Sequence, residues 1–231
     1  MLVYGKNVCE LILEKGLDIS NIYLQDNFDD KKILSLIEKN DLRYKSLSKI
    51  KMNDLCEGVH QGIIMDVPGY KYSSIDEVLG SNKFVVILDH LEDPHNLGAI
   101  IRTCEAAGVD AIIIPSNRSV EVNGTVVKTS AGTCYQMNII KVVNIVETIK
   151  YLKDNGYWIV GTSLDTDTDY REVDYSGNIA LVIGNEGKGV ADLVLKNCDY
   201  VTKIPMYGET NSLNASVAAG IMIYDVIRNR K

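Results

Sequence analysis

The stretch Ile204–Arg228, IPMYGETNSLNASVAAGIMIYDVIR, decides how this chain is read. Its second half carries apolar residues at helical spacing. Its first half crowds Glu209, Thr210, Asn211, Ser212 and Asn214 between a strand-like VTKIP and that helix. A helix start needs one cap, which Asn211 or Ser212 can supply. The remaining polar residues suit another use: small donors and acceptors beside a buried strand end can anchor a ligand in a mostly apolar pocket.

Working outward, FVVILD, DAIIIP, YWIVGTS, IALVIG and DYVTKIP are near-continuous apolar runs, the pattern of parallel strands covered on both faces. NLGAIIRTCEAAG, NIVETIKYLKDNG and the C-terminal segment read as the intervening helices, with Gly108 and Gly156 where C-caps belong. The prediction is a doubly wound α/β domain over residues 83–231, with ligands at the carboxyl ends of its strands. Three polar segments follow such ends: DHLEDPHNLG, GNEGKG and the opening of the quoted stretch. Upstream, residues 1–68 alternate helix and strand signals in a small α/β module. Asp29 or Asp30 is the predicted cap of the DDKKILSLIEKN helix. Pro68–Gly69 breaks the pattern, and residues 69–82 read as a linker with one weak helical turn.

The totals narrow the class. The 231 residues are 46% hydrophobic and 24% charged, enough for a real core, and no apolar run reaches membrane-span length. No signal-peptide core opens the chain. Cys9, Cys56, Cys104, Cys134 and Cys198 are odd in number and form no CxxC pair, which favours reduced thiols over a disulfide or zinc framework. A soluble, cytoplasmic protein is expected. The formal charge of −7 disfavours nucleic-acid binding by bulk electrostatics, so any RNA contact requires a local patch, for which Lys6, Lys45, Lys49 and Lys51 are candidates.

Three groups of residues are candidates for chemistry. In DPHNLGAIIRTCEAAG, Asp93 or Asn96 can cap a helix, and Arg102 is flanked by Ile100 and Ile101, where a guanidinium calls for a phosphate or carboxylate partner. A capped helix with a solvated arginine is the plainer alternative. In GNEGKG, three glycines in six residues permit close backbone approach, yet the spacing matches neither GxGxxG nor a P-loop; a tight turn with exposed Glu186 and Lys188 explains it equally well. The third group is the polar cluster already described.

Together and in this order, DPHNLGAIIRTCEAAG, LVIGNEGKGV and IPMYGETNSLNASVAAGIMIYDVIR resemble motifs 1, 2 and 3 of the SpoU (TrmH) class of RNA 2'-O-ribose methyltransferases, in the SPOUT superfamily. The resemblance covers essentially the whole chain. YGKNVCELI and VHQGIIMDV are similar to the L30e-like substrate-binding domain of the bacterial 23S rRNA guanosine 2'-O-methyltransferases. The resemblance implies methyl transfer from S-adenosyl-L-methionine to a ribose 2'-hydroxyl, a C-terminal segment threaded as a deep trefoil knot, and a homodimer. It implies a catalytic set of Asn96, Arg102, Glu186, Ser212 and Asn214, with Arg102 as proton acceptor or as electrostatic stabiliser. It implies cofactor contacts at Thr162, Gly184, Asn185, Gly187, Ile204, Met206 and Leu213, and no metal. For the dimer, Ala215, Ala218, Ala219 and Gly220 offer a smooth helix face, which packing within the chain would use equally well. A tRNA target, an antibiotic-resistance rRNA target and a non-catalytic RNA-binding or assembly factor are the alternatives.

Other constellations carry less. DTDTDY has Tyr170 where a calcium loop needs glycine and Ser176 where it needs a bidentate glutamate. His60, His90 and His95 have no metal-ligand spacing with the cysteines. His60 and Gln61 read as turn residues or as RNA contacts.

Overall fold

The computed structural model describes residues 1–56 and 58–230. The first part contains β1 (Leu2–Tyr4), α1 (Lys6–Glu14), β2 (Asn21–Gln25), α2 (Lys31–Lys39), β3 (Lys45–Leu47), α3 (Lys49–Leu55) and β4 (Ile63–Asp66). Its sheet runs β1-β4-β2-β3, parallel only between β2 and β3. Asp30 caps α2 by accepting from the Ile33 amide, and Ser48 caps α3 by accepting from Lys51.

The second part contains β5 (Phe84–Asp89), α4 (Pro94–Ala107), β6 (Ala111–Pro115), α5 (Gly124–Thr129), β7 (Asn138–Val142), α6 (Ile145–Asp154), β8 (Tyr157–Thr162), β9 (Asn178–Gly184), α7 (Asp192–Leu195), β10 (Tyr200–Thr202) and α8 (Ala215–Arg230). All six strands are parallel in the order β10-β8-β9-β5-β6-β7. The α/β doubly wound class is therefore as expected. The β5, β6, β8, β9 and β10 segments were legible as apolar runs, whereas β7, α5 and α7 were not. NIIKV is an edge strand with half-exposed positions, and the two helices are too short to show a periodicity. The chain moves outward from β5 to β7, then re-enters beyond β5 at β8, so the strand order reverses between β5 and β9, where the crevice of such a sheet opens.

The two parts are packed, not merely tethered. One hydrophobic cluster runs from Val3, Val8 and Ile12 to Val126, Val127 and Leu97. At the seam, a Cβ on Gly124 would stand 2.4 Å from the Leu2 carbonyl oxygen, a backbone approach only glycine permits. Within residues 69–82, read from sequence as a linker, Tyr70–Ser73 lies along the free edge of β7. The Ser73 amide donates to Ile139 O at 2.9 Å, Val122 N donates to the Tyr72 hydroxyl at 3.1 Å, and the Tyr70 hydroxyl is shared between Cys134 O and Met137 O, each at 3.0 Å. The strap thus covers a strand edge that would otherwise offer unpaired backbone groups. Ser74 then opens a capped single turn, Ile75–Val78.

The path of the tail positions the site. Strand β10 pairs with β8 on one side. On its other side the chain meets the segment joining β8 to β9: Lys203 N donates to Thr168 O and Tyr170 N donates to Lys203 O, both at 3.0 Å. Val173 and Tyr175 of that segment share a core cluster with Ala219, Met222, Ile223 and Val226 of α8. Arg230, at the end of α8, donates to the carbonyls of Gly177 and Asn82. The tail therefore lies between β8 and the returning 163–177 loop, the local arrangement that a knotted crossing requires.

The smooth face of α8 is taken up inside the chain. Ala215 and Ala219 are buried, and a Cβ on Gly220 would approach Thr103 of α4 at 4.0 Å. Val217 and Tyr224 are exposed, and Ile221 is half-buried. No helix among the described residues is long and apolar enough to cross a membrane.

Tyr70→Phe strips two carbonyls of their shared donor and is expected to cost about 1–3 kcal/mol. In a thermal melt this corresponds to a fall in Tm of roughly 2–4 °C per kcal/mol for a chain of this size. An unchanged Tm would show that the strap is not held at Tyr70.

Candidate active site

Helix α4 starts at Pro94, and its cap is Asp93, whose carboxylate accepts from the His95 amide at 2.9 Å. Asn96 is thereby released from capping, though it sits in the first turn and is only 6% exposed. A buried carboxamide must place both its donor and its acceptor. Asn96 Nδ2 donates to Glu186 Oε1 at 2.5 Å, and Asn96 Oδ1 accepts from Asn214 Nδ2 at 3.0 Å. Asn214 in turn accepts at Oδ1 from the Ser216 amide at 2.9 Å and the Val217 amide at 3.4 Å.

This last bond corrects the expected cap of the C-terminal helix. Asn214, rather than Asn211 or Ser212, stands at the start of α8. The correction fixes every orientation in the chain of bonds. Because Asn214 Oδ1 is committed to helix N–H groups, its NH2 faces Asn96. Asn96 must then present its own NH2 to the Glu186 carboxylate.

Glu186 is delivered by the turn after β9. Asn185 and Gly189 exchange backbone bonds at 3.1 and 2.9 Å, and Asn185 Oδ1 accepts from the amides of Gly187 at 2.9 Å and Lys188 at 3.3 Å. A Cβ on Gly184 would lie 2.1 Å from Gly189 C, so the close approach at this glycine is to the chain's own backbone. Two residues that sequence reasoning missed hold the turn from β5. Asp89, 1% exposed, accepts from Ala191 N at 2.7 Å and meets His90 Nδ1 at 2.6 Å. The His90 carbonyl accepts from Asn185 Nδ2 at 2.9 Å. The available signal was an aspartate closing an otherwise apolar strand, FVVILD.

The expected cofactor positions gather at adjacent strand ends. Thr162 ends β8, its hydroxyl donating to Val182 O at 3.0 Å; Gly184 ends β9; Ile204 follows β10 and packs on the core. Met206 and Leu213 are half-buried, and Gly187 is exposed. The Asn185 side chain is used by its own turn. These strand ends offer backbone groups and apolar side chains without a charged member. Such a set fits a flat heteroaromatic ring carrying a short polar chain.

Two expected members stand outside the network. Arg102 is exposed on α4 and has no ion pair or side-chain hydrogen bond among the described residues. It lies about 120° around the helix and about 9 Å along it from Asn96, so Asn96 does not orient it. Ile100 and Ile101 point into the core and leave Arg102 outside. Ser212 is also exposed and makes no hydrogen bond among the described residues. The expected lysine patch is interrupted: Lys6 pairs with Asp30 at 2.9 Å, and Lys45 lies over the Tyr23 ring. Among the described residues, no group of three or more His, Cys, Asp or Glu is placed to hold a metal.

Comparison with known proteins matches both parts. The profile of the SpoU rRNA methylase family matches residues 83–224, and that for RNA 2'-O ribose methyltransferase substrate binding matches residues 2–73. The chain is 42% identical over 239 aligned positions to a protein assigned to the TrmH family of tRNA/rRNA methyltransferases in Staphylococcus saprophyticus, covering 100% of this chain and 96% of the relative. The crystal structure of the SpoU methyltransferase AviRb from Streptomyces viridochromogenes, in complex with its cofactor AdoMet, superposes with a TM-score of 0.83 at 24% identity, covering 99% of this chain and 89% of that one. A TrmH/SpoU tRNA modifying enzyme of A. aeolicus is 34% identical with a TM-score of 0.59, covering 66% of this chain and 77% of that one.

Asn96→Asp sets a second carboxylate against Glu186, whereas Asn96→Asp with Glu186→Gln restores a donor–acceptor pair. The double-mutant cycle is expected to show a favourable coupling of about 1–3 kcal/mol in denaturant melts. Additive effects would place the two side chains out of contact.

Proposed function

Because the chain belongs to the SpoU rRNA methylase family, we propose that it methylates a ribose 2'-hydroxyl of RNA, a guanosine of 23S rRNA, with S-adenosyl-L-methionine as donor. One observation carries this reading. The ends of β8, β9 and β10 meet beside a chain of bonds from Glu186 through Asn96 to Asn214, which joins all three motif segments.

When bound, the cofactor supplies a methyl group on a sulfonium, so attack by the hydroxyl oxygen forms the C–O bond as the C–S bond breaks. The chain's own task is placement, which can supply roughly 7–11 kcal/mol in well-oriented reactions. The backbone at Gly184, Ile204 and Leu213 holds the donor, with Thr162, Asn185, Gly187 and Met206 around it. Asn96 and Asn214 hold Glu186 and the knotted tail in register, and Ser212 is an exposed donor facing the RNA. Arg102 grips a substrate phosphate and stabilises the developing charge on the oxygen. With a guanidinium pKa above about 12, it is a poor base, and the proton leaves to phosphate or water.

Arg102 faces away from its own Asn96 and serves a site completed by a second copy, in a homodimer formed through the exposed Val217 and Tyr224 and the half-buried Ile221 of α8. Light scattering should therefore return twice the 25.6 kDa chain mass; a monomer would remove the shared site. The second reading is a tRNA target, favoured by the similarity of about two thirds of the chain to the A. aeolicus tRNA modifying enzyme, 66% of it being covered.

Arg102→Ala should lower kcat by about 10²–10³ or more, with S-adenosyl-L-homocysteine affinity unchanged in calorimetry. Retention of more than about a tenth of the activity would end the assignment. Ribose-methylation mapping across cellular RNA with and without the gene should show one 23S guanosine lost. Loss at a tRNA position instead would establish the second reading, and no loss in either would refute both.

A further inference from the structure

A cleft of about 510 Å³ opens in the N-terminal part, sharing no lining residue with the strand-end site, with walls that include Phe28, Asn53 and Gln61. Its size suits a single nucleotide. Its chemistry follows from one buried ring. His60 is 7% exposed, and its Nδ1 accepts from the Gly62 amide at 3.0 Å. The proton is therefore on Nε2, which donates to Asn53 Oδ1 at 3.0 Å. Burial, with help from the nearby Lys49 cation, pushes His60 below the ordinary imidazole pKa and so keeps this neutral tautomer.

The second carboxamide is arranged in the same sense. Gln61 Oε1 accepts from the Lys6 amide at 3.0 Å, and Gln61 itself holds φ 55°, a backbone region uncommon for residues other than glycine. In both side chains the oxygen is taken by an in-chain donor, and among the described residues neither NH2 has an acceptor. Two oriented NH2 donors thus remain on the walls of the cleft. Phe28 adds an apolar wall, with the Lys6 ammonium 5.4 Å from its ring centre. Lys6 is neutralised by Asp30, and the lining also includes Asp26 and Asp29 against Lys49. This charge balance is not that of a phosphate clamp.

We infer that this cleft reads one unpaired nucleobase of the RNA substrate, guanine or uracil, through donation from Asn53 and Gln61 to the two lone pairs of the carbonyl oxygen at C6 of guanine or C4 of uracil. The inference rests on the reading that the chain acts on RNA. Single-stranded positions are the usual source of RNA sequence specificity, because only unstacked bases expose their edges. Asp29 supplies an acceptor for the ring N–H beside the carbonyl of either base. Adenine and cytosine present an amino donor where guanine and uracil present that carbonyl, and this would oppose donor to donor.

The test uses the full chain and short RNA hairpins whose loops differ at one nucleotide, read by fluorescence anisotropy. Wild type should bind guanine or uracil loops roughly tenfold more tightly than adenine or cytosine loops. Asn53→Asp and Gln61→Glu keep the oxygens that accept within the chain and remove the donors, with one added negative charge each, so they should abolish this preference. Lys39→Gln, an equal charge change on α2, should weaken all loops alike and keep the preference. Equal binding of all four loops by wild type, or a preference that survives both carboxylate variants, overturns the inference while leaving the RNA reading standing. Absence of binding to any hairpin overturns both.

Discussion

A carboxamide held away from water cannot leave either end unpaired, and Asn96 shows what that demand imposes on the rest of the fold. Its donor needs Glu186, which requires the Asn185–Gly189 turn to be closed. Its acceptor needs Asn214, which requires the tail to lie between β8 and the 163–177 segment and α8 to have begun at Ala215. Asn214 does two things at once: it satisfies the first amides of α8 and fixes which way the Asn96 amide faces. The same atoms serve stability and the alignment of the site. Disorder of the tail would leave a buried amide oxygen without a donor.

The N-terminal part is joined to this site by packing. Lys128 Nζ of α5 lies 5.6 Å from the Tyr4 ring centre, and the next residue, Thr129, approaches His95 Nδ1 through its hydroxyl at 3.4 Å. His95 immediately precedes Asn96. The seam at Gly124 and the strap at Tyr70 hold the same two bodies from other sides. A substrate gripped by the N-terminal part is thereby presented in a defined relation to the strand ends. This offers a way for an acidic chain to select RNA by shape and position in place of bulk charge.

Much of this was legible in the sequence because buried parallel strands are written as apolar runs, and β5, β6, β8 and β9 are such runs. The three loops were legible because small polar residues follow those runs. Two residues show where local pattern falls short. Asp89 looked like the end of a strand, yet its carboxylate is aimed at the Ala191 amide more than 100 positions away, a contact that local pattern cannot encode. Arg102 was read through its neighbours Ile100 and Ile101, but adjacent helical residues point about 100° apart, so apolar neighbours in sequence mark it as outside the core. The placing of the tail between β8 and the 163–177 segment is a property of the whole path and has no periodicity to betray it.

A crystal structure of the chain with S-adenosyl-L-homocysteine tests the central claim most directly, because it reads ligand and network together. The ligand should contact the backbone of Gly184, Ile204 and Leu213, with Asn96 still bonded between Glu186 and Asn214. A ligand bound elsewhere, or a tail that leaves Asn214 apart from Asn96, would contradict the account.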